Sequence, residues 1–378
     1  MDFTYSEEQR MLADSLRRFV DSEYAFAQRR TRSRTQGAFD RGIWNALAEL
    51  GVLGLTVPAE YGGFGEGAAS RLVVQRELGR ALVLEPVIPS AVCASAALEK
   101  YGTPAQKDTW LMALASGSKI VTFAWQEKKG RYRPEAVHTV ARRVDGGYVL
   151  DGDKSLVWHG EVADAFIVSA RLEASNELAL FIVERAAAGL EVTGYPTIDG
   201  LRGADLKLWN VRLAAEARLG GDGNGLAVLD HAFDHGVAAL CAEAAGAMER
   251  LIEITSEYLR TRHQFGVALA SFQALQHRVA DMLVQKELAL SMAYVAAQAL
   301  DEPDAAQRTR MLCAAKIVVA KAGRFIGQQA VQLHGGMGMT DELEVGDYFK
   351  RLASLDTLFG DSDYQMERYC AAMHDAAA

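Results

Sequence analysis

The sequence is short of the features that mark several large classes of protein. Its four cysteines, Cys93, Cys241, Cys313 and Cys370, stand far apart and form no CxxC or Cys/His spacing. They read as reduced thiols, not as metal ligands or a disulfide frame. No apolar run reaches the length needed to span a bilayer. The opening MDFTYSEEQRML has neither the basic n-region nor the apolar h-region of a secretory signal. The expectation is a cytoplasmic protein with no membrane partner. No Walker loop, GxSxG elbow or HExxH occurs, and no GxGxxG opens a helix after a strand, which argues against a Rossmann nucleotide site. The net charge of −9 argues against nucleic acid as a partner. A cofactor carrying phosphates would need local basic and backbone donors.

What is present is the composition of an ordinary globular protein. The chain has 378 residues, 50% hydrophobic and 24% charged, enough for two or three domains. Three textures follow one another. Residues 1–118 read as helices: Leu12, Leu16, Phe19 and Val20 recur at helical spacing after a capped, acidic start at Ser6, Glu7 and Glu8. Trp44, Leu47 and Leu50 mark a second helix ended by Gly51, and Tyr61-Gly62-Gly63-Phe64-Gly65 is a turn or loop. Residues 119–225 carry short β-branched and aromatic runs: KIVTFAW, AVHTVARRV, GYVLDG, DAFIVSARL, LALFIVE, LEVTGY and DLKLWNV. They predict a compact antiparallel sheet or barrel, with hairpin-grade turn signals at Gly146-Gly147 and Asp151-Gly152. Residues 226–378 are helical again. Spans 226–261, 272–300 and 305–333 and a fourth helix near 342–376 predict an antiparallel four-helix bundle. No internal repeat is present.

Two small constellations in the last third stand out. Arg262-His263-Gln264-Phe265-Gly266 ends one long helix, and Phe272-Gln273 opens the next. An Arg there can offer a planar fork to a diphosphate, a Phe can pack on a flat ring, and Gly permits the turn. An ordinary capping Arg with a core Phe is the plainer alternative. Gln332-Leu333-His334-Gly335-Gly336-Met337-Gly338 ends another helix in glycines whose bare backbone lets a phosphate or ring edge approach. Alone, it reads equally well as a helix C-cap and loop.

In this order, after a β region, RxxFG, FQ and QxxGGxG resemble the acyl-CoA dehydrogenase family. The resemblance spans essentially the whole chain, including the FTYSEEQRML helix, the VPAEYGGFG turn and the YVLDGDKSLVWHG hairpin. It implies an α+β fold with an N-terminal α-helical domain, a middle β-barrel and a C-terminal four-helix bundle. It further implies FAD, an acyl-CoA substrate, electron-transfer flavoprotein as electron acceptor, and dimers packed into tetramers. Carried over, Arg262, Phe265 and Gln273 would meet the FAD of a neighbouring subunit, and Gln332, Gly335 and Gly336 its adenosine diphosphate end. Gln126 and Trp158 would line the flavin ring. Both depart from the family's usual types, since its common T-E-P reads Gln126-Glu127-Lys128 and its Thr or Ser is Trp158. A Trp beside the ring would stack and exclude water.

The family's reaction needs a carboxylate to take the α-proton while the β-hydrogen leaves as hydride. One of its two usual positions falls on Phe359, followed by Gly360, when this chain is matched without gaps from Gly335. A slip of two residues brings Asp361 there. The other falls on Gly236, with Glu243 about two turns further on, where an inter-helix or solvent role is the plainer reading. Three readings follow. Asp361 serves as a shortened base in a self-sufficient dehydrogenase or oxidase, as in the related nitroalkane oxidases. Or a homologous large subunit supplies the Glu, as in heteromeric relatives; the GRYRP and LFGDSDY stretches look most like the small subunit of the pimeloyl-CoA dehydrogenase type. Or the chain is a flavin-free binding module. The paired reading is preferred, because moving a base by about an ångström can cost on the order of a hundredfold in rate.

Overall fold

The computed structural model describes residues 5–375, so the first four and last three residues of the expected terminal domains lie outside the described residues. Helix α1 (Glu7–Glu23) begins at a reciprocal cap: the Ser6 side chain accepts from the Gln9 N–H, and the Gln9 side chain accepts from the Ser6 N–H. Leu16 and Val20, one turn apart, carry its buried face. Helices α2 (Phe26–Ser33) and α3 (Arg41–Glu49) follow, the second capped by Asp40 and closed at Gly51, whose φ is +79°. Then come α4 (Ala68–Arg80), a buried π-helical stretch Val87–Ala94, α5 (Ser95–Tyr101) and α6 (Pro104–Ala115). The Tyr61–Gly65 segment is the connector its glycines predict. Gly62 and Gly65 take φ +81° and +64°, and a Cβ on Gly63 would sit 2.0 Å from the Val57 carbonyl oxygen.

Seven strands lie where the seven runs predict them: β1 (Val121–Ala124), β2 (Val140–Val144), β3 (Gly147–Trp158), β4 (Ala165–Leu172), β5 (Leu178–Glu184), β6 (Leu190–Pro196) and β7 (Arg202–Ala214). A short β8 (Arg218–Leu219) completes a sheet ordered β6-β7-β3-β2-β4-β5-β8, with β1 on β4. The sheet is mixed, which corrects the antiparallel expectation: β1 and β2 both run parallel to β4. Because β5 occupies one edge of β4, β1 and β2 share the other, end to end, at residues 165–168 and 171–172. Strand direction is set by this arrangement and leaves no local trace in residue pattern. A second correction concerns Asp151-Gly152. The β2–β3 hairpin turns at Asp145-Gly146, with Gly146 at φ +81°. Gly152 instead lies inside β3 at a register shift, where a Cβ would come within 2.6 Å of Thr139 Oγ1.

The last third holds α7 (Gly225–Thr261), β9 (His263–Gln264), β10 (Val267–Ala268), α8 (Gln273–Ala299) and α9 (Ala305–His334). Helices α10 (Val345–Thr357) and α11 (Ser362–Asp375) end the described chain. The expected fourth helix is thus two, because Phe359 and Gly360 take φ +55° and +101° and the helical ladder cannot cross them.

Contacts divide the chain into two units. One joins the chain up to Thr31 with Ala68–Val83 and Val237 onward, and the other joins Arg32–Gly67 with Leu84–Gly236. In the first unit α4 crosses α7 with their backbones touching. A Cβ on Gly79 would lie 2.1 Å from the Glu243 carbonyl oxygen, and one on Gly246 would lie 1.9 Å from that of Arg76. No flexible side chain can yield there. Gly246→Ala is therefore expected to destabilise the protein by at least about 1–3 kcal/mol, despite the better helix propensity of Ala, measured as a fall in urea midpoint. In the second unit the sheet packs its apolar residues, among them Phe166, Val168, Leu180 and Phe181, out of water. No helix among the described residues is long and apolar enough to cross a membrane.

Candidate active site

The first unit brings the two glycine-containing constellations together. Tyr258, four residues before Arg262, stacks on His334, with ring centroids 4.3 Å apart, and its hydroxyl donates to the His334 carbonyl at 3.4 Å. His334 is buried and meets the Ala330 carbonyl through Nδ1 at 2.8 Å, and burial lowers its pKa, which keeps the ring neutral. Just beyond Tyr258, β9 and β10 form a hairpin whose two-residue turn is Phe265-Gly266, at φ +56° and +81°. The turn holds Phe265 89% exposed, with the Phe272 ring edge-on to it at a centroid distance of 6.1 Å. An exposed phenyl on a strained turn is costly unless something covers it.

The helix ends of this unit also carry polar groups with nothing to bind. Among the described residues, the Arg262 guanidinium and the side chains of Gln273 and Gln332 have no hydrogen-bond or ionic partner. Helix α9 ends at Gly335, with φ +59°, and a Cβ on Gly335 or Gly336 would meet nothing within 4 Å. Free planar donors, an open glycine backbone and an uncovered aromatic ring suit a diphosphate joined to a flat heterocycle, so the residues present fit FAD. No cluster of metal-ligating side chains exists among the described residues.

In the second unit Gln126 and Trp158 lie on neighbouring segments. The Gln126 carbonyl accepts from the Ser155 N–H at 2.9 Å, and its side-chain amide donates to the Arg131 carbonyl at 3.3 Å. Trp158 is half-buried, its carbonyl accepting from the Thr122 hydroxyl at 2.7 Å. Beside Gln126, Glu127 closes the whole β1–β2 loop. Its carboxylate accepts from His138 N–H (2.7 Å), Thr139 N–H (3.0 Å), the Thr139 hydroxyl (2.7 Å) and Lys154 Nζ (2.7 Å). Burial would raise its pKa, but Lys154 and Thr139 outweigh that and hold it low. Lys154 is itself buried, which brings its pKa down to about 8 against the pull of Glu127. Sequence reasoning passed over this pair.

The carboxylates proposed from sequence have structural tasks. Gly236 lies buried in α7. Glu243 forms a buried two-pronged ion pair with Arg351 of α10, at 2.7 and 3.1 Å, the inter-helix role that was its plainer reading. Asp361 stands at the N-terminus of α11, where its Oδ1 accepts the Tyr364 N–H at 3.0 Å. The break before it is tied on both sides. Gln365 Nε2 donates to the Phe359 carbonyl (2.7 Å), and buried Lys316 donates to the carbonyls of Leu355, Asp356 and Gly360 (2.7, 3.0 and 3.4 Å). Glu85, a lone carboxylate in the apolar run around Leu84 and Val87, is buried as well, and its position in that run was a readable signal.

Comparison with known proteins gives one answer. The N-terminal, middle and C-terminal domain models of acyl-CoA dehydrogenase match residues 6–118, 122–211 and 223–374. Acyl-CoA dehydrogenase FadE27 of Mycobacterium tuberculosis is 29% identical over 377 residues, 97% of each chain. A chain of the ChsE4-ChsE5 complex of the same organism superposes with a TM-score of 0.89 at 28% identity, over 99% of each chain. One described as an electron transferring flavoprotein of Acidaminococcus fermentans does so at 0.91 and 25% identity, over 99% of each. The chain belongs to the acyl-CoA dehydrogenase family and is an FAD-dependent oxidoreductase acting on acyl-CoA.

Proposed function

We propose that this chain is one subunit of a heteromeric acyl-CoA dehydrogenase, whose homologous partner supplies the catalytic glutamate. The observation that carries this reading is the state of its own carboxylates. Gly236 and Phe359 have none, Glu243 is tied to Arg351, and Asp361 caps α11. The self-sufficient reading would need Asp361 to exchange its capping bond for proton transfer. The flavin-free module does not suit a family of flavoproteins or the uncommitted donors described above. A partner is further supported by the middle of α8, where Leu283, Val284 and Leu288 are exposed. The similarity to one chain of a ChsE4-ChsE5 complex points the same way.

Bound FAD supplies the two-electron oxidant for desaturation between the α and β carbons. The chain's own residues bind and orient. Arg262, Phe265 and Gln273 would hold the FAD of the neighbouring subunit, and Gln332, Gly335 and Gly336 would receive its adenosine diphosphate end. Gln126 and Trp158 would line the ring, with Trp158 excluding water. Residues 1–118, 119–225 and 226–378 are proposed as the functional domains of a cytoplasmic tetramer that delivers electrons to an electron-transfer flavoprotein. Arg262→Ala is expected to weaken FAD retention about tenfold or more, read as loss of the flavin absorbance on dialysis. Unchanged flavin content would remove Arg262 from the site.

A further inference from the structure

Glu85 is 5% exposed, and among the described residues neither of its carboxyl oxygens has a hydrogen-bond partner. The backbone N–H groups of Glu85 itself, Asp40 and Leu84 approach the carboxyl and only partly offset its burial, and no charged side chain among the described residues acts on it. Burial pushes its pKa up to about 8, so at neutral pH it is an uncharged acid with one donor and free acceptors. Leaving such a group unpaired is unfavourable. Two residues on begins the π-helical stretch Val87–Ala94, buried throughout. Such widened turns recur at functional sites. This stretch packs on β1, where the Ser90 hydroxyl accepts from the Val121 N–H at 3.1 Å. From there β1 extends roughly 13 Å toward Gln126, which the proposed function places at the flavin ring.

We propose that Glu85 is a specificity-determining residue, hydrogen-bonding an uncharged oxygen function, a hydroxyl or ketone, on the far part of the acyl chain. The proposal rests on the acyl-CoA reading above. A plain alkyl chain would leave the acid unpaired. A chain ending in a carboxylate would bury a charge with no cation to meet it. A site with a buried polar group rejects ligands that cannot pair it, whereas pockets that only count methylenes discriminate weakly.

The test uses the flavin-loaded protein co-expressed with a homologue carrying the family's glutamate and measures binding of hexanoyl-CoA, ω-hydroxyhexanoyl-CoA and adipoyl-CoA by calorimetry. The hydroxylated thioester is expected to bind at least about tenfold more tightly than hexanoyl-CoA. Glu85→Leu should abolish that ratio, and Glu85→Gln, which keeps a donor and an acceptor in the same shape, should retain it. An unchanged ratio in Glu85→Leu, or tightest binding of adipoyl-CoA, overturns the assignment. Should the leucine variant not fold, absence of any preference in the wild type, or its loss in Glu85→Gln, overturns it equally. Binding of no thioester at all would overturn the acyl-CoA reading, and this proposal with it; binding without the predicted preference overturns the Glu85 role alone.

Discussion

Purified alone and loaded with FAD, the chain is expected to dehydrogenate acyl-CoA thioesters at least about a hundredfold more slowly than when co-expressed with a homologue carrying the family's glutamate. The size follows from what a positioned general base contributes, about 10²–10⁴ in rate. Asp361→Ala separates the two sources of the base. In the paired enzyme it should leave turnover unchanged and lower stability by about 1 kcal/mol, the worth of a helix cap. Substantial turnover by the homomer that disappears in Asp361→Ala would defeat the paired reading and install Asp361 as the base. The geometry favours the first outcome. The Phe359 and Gly360 carbonyls are held by Gln365 and Lys316, so the segment leading to Asp361 is fixed at both ends.

The second large effect concerns stability. Arg351→Met should cost about 3–5 kcal/mol, because Glu243 would be left buried with its charge uncompensated. Replacing both members, as Glu243→Leu with Arg351→Met, should recover most of that loss, since apolar side chains of similar volume need no solvation. Urea unfolding at a fixed protein concentration reads both. A double variant no better than the single one would mean that the pair contributes through attraction beyond relief of a stranded charge.

Much of this architecture could be read from residue order. The strands follow runs of Val, Ile, Phe and Leu, and α1 starts at the Ser6–Gln9 cap that its first residues announce. What escaped depended on partners distant in sequence. Glu243 meets Arg351 across 108 residues, and Gly152 is a close approach to Thr139 and not a turn. The direction of β1 and β2 is fixed by β4, which comes later in the chain. The break at Phe359-Gly360 was partly visible, since a glycine sat inside the expected helix. A positive φ at the neighbouring phenylalanine was not. At the candidate site, residue type alone marks the glycines, arginine and glutamines of the helix ends as suited to a phosphate and a flat ring. The Tyr258–His334 stack joining them is a packing event between helices.

Glu127 does more than balance the charge of Lys154. Strands β1 and β2 lie along one edge of β4, and the chain between them leaves and rejoins that edge at a point where one carboxylate grips both ends. The segment from Lys128 to Val137 hangs from that grip as a closed loop, with the Gln126 amide donating to the Arg131 carbonyl and Arg171 to that of Glu135. Its length and charge can change while the strands stay in register, because closing a somewhat longer loop costs little once its ends are held. The basic residues of this segment, Lys128, Lys129, Arg131 and Arg133, stand exposed along it.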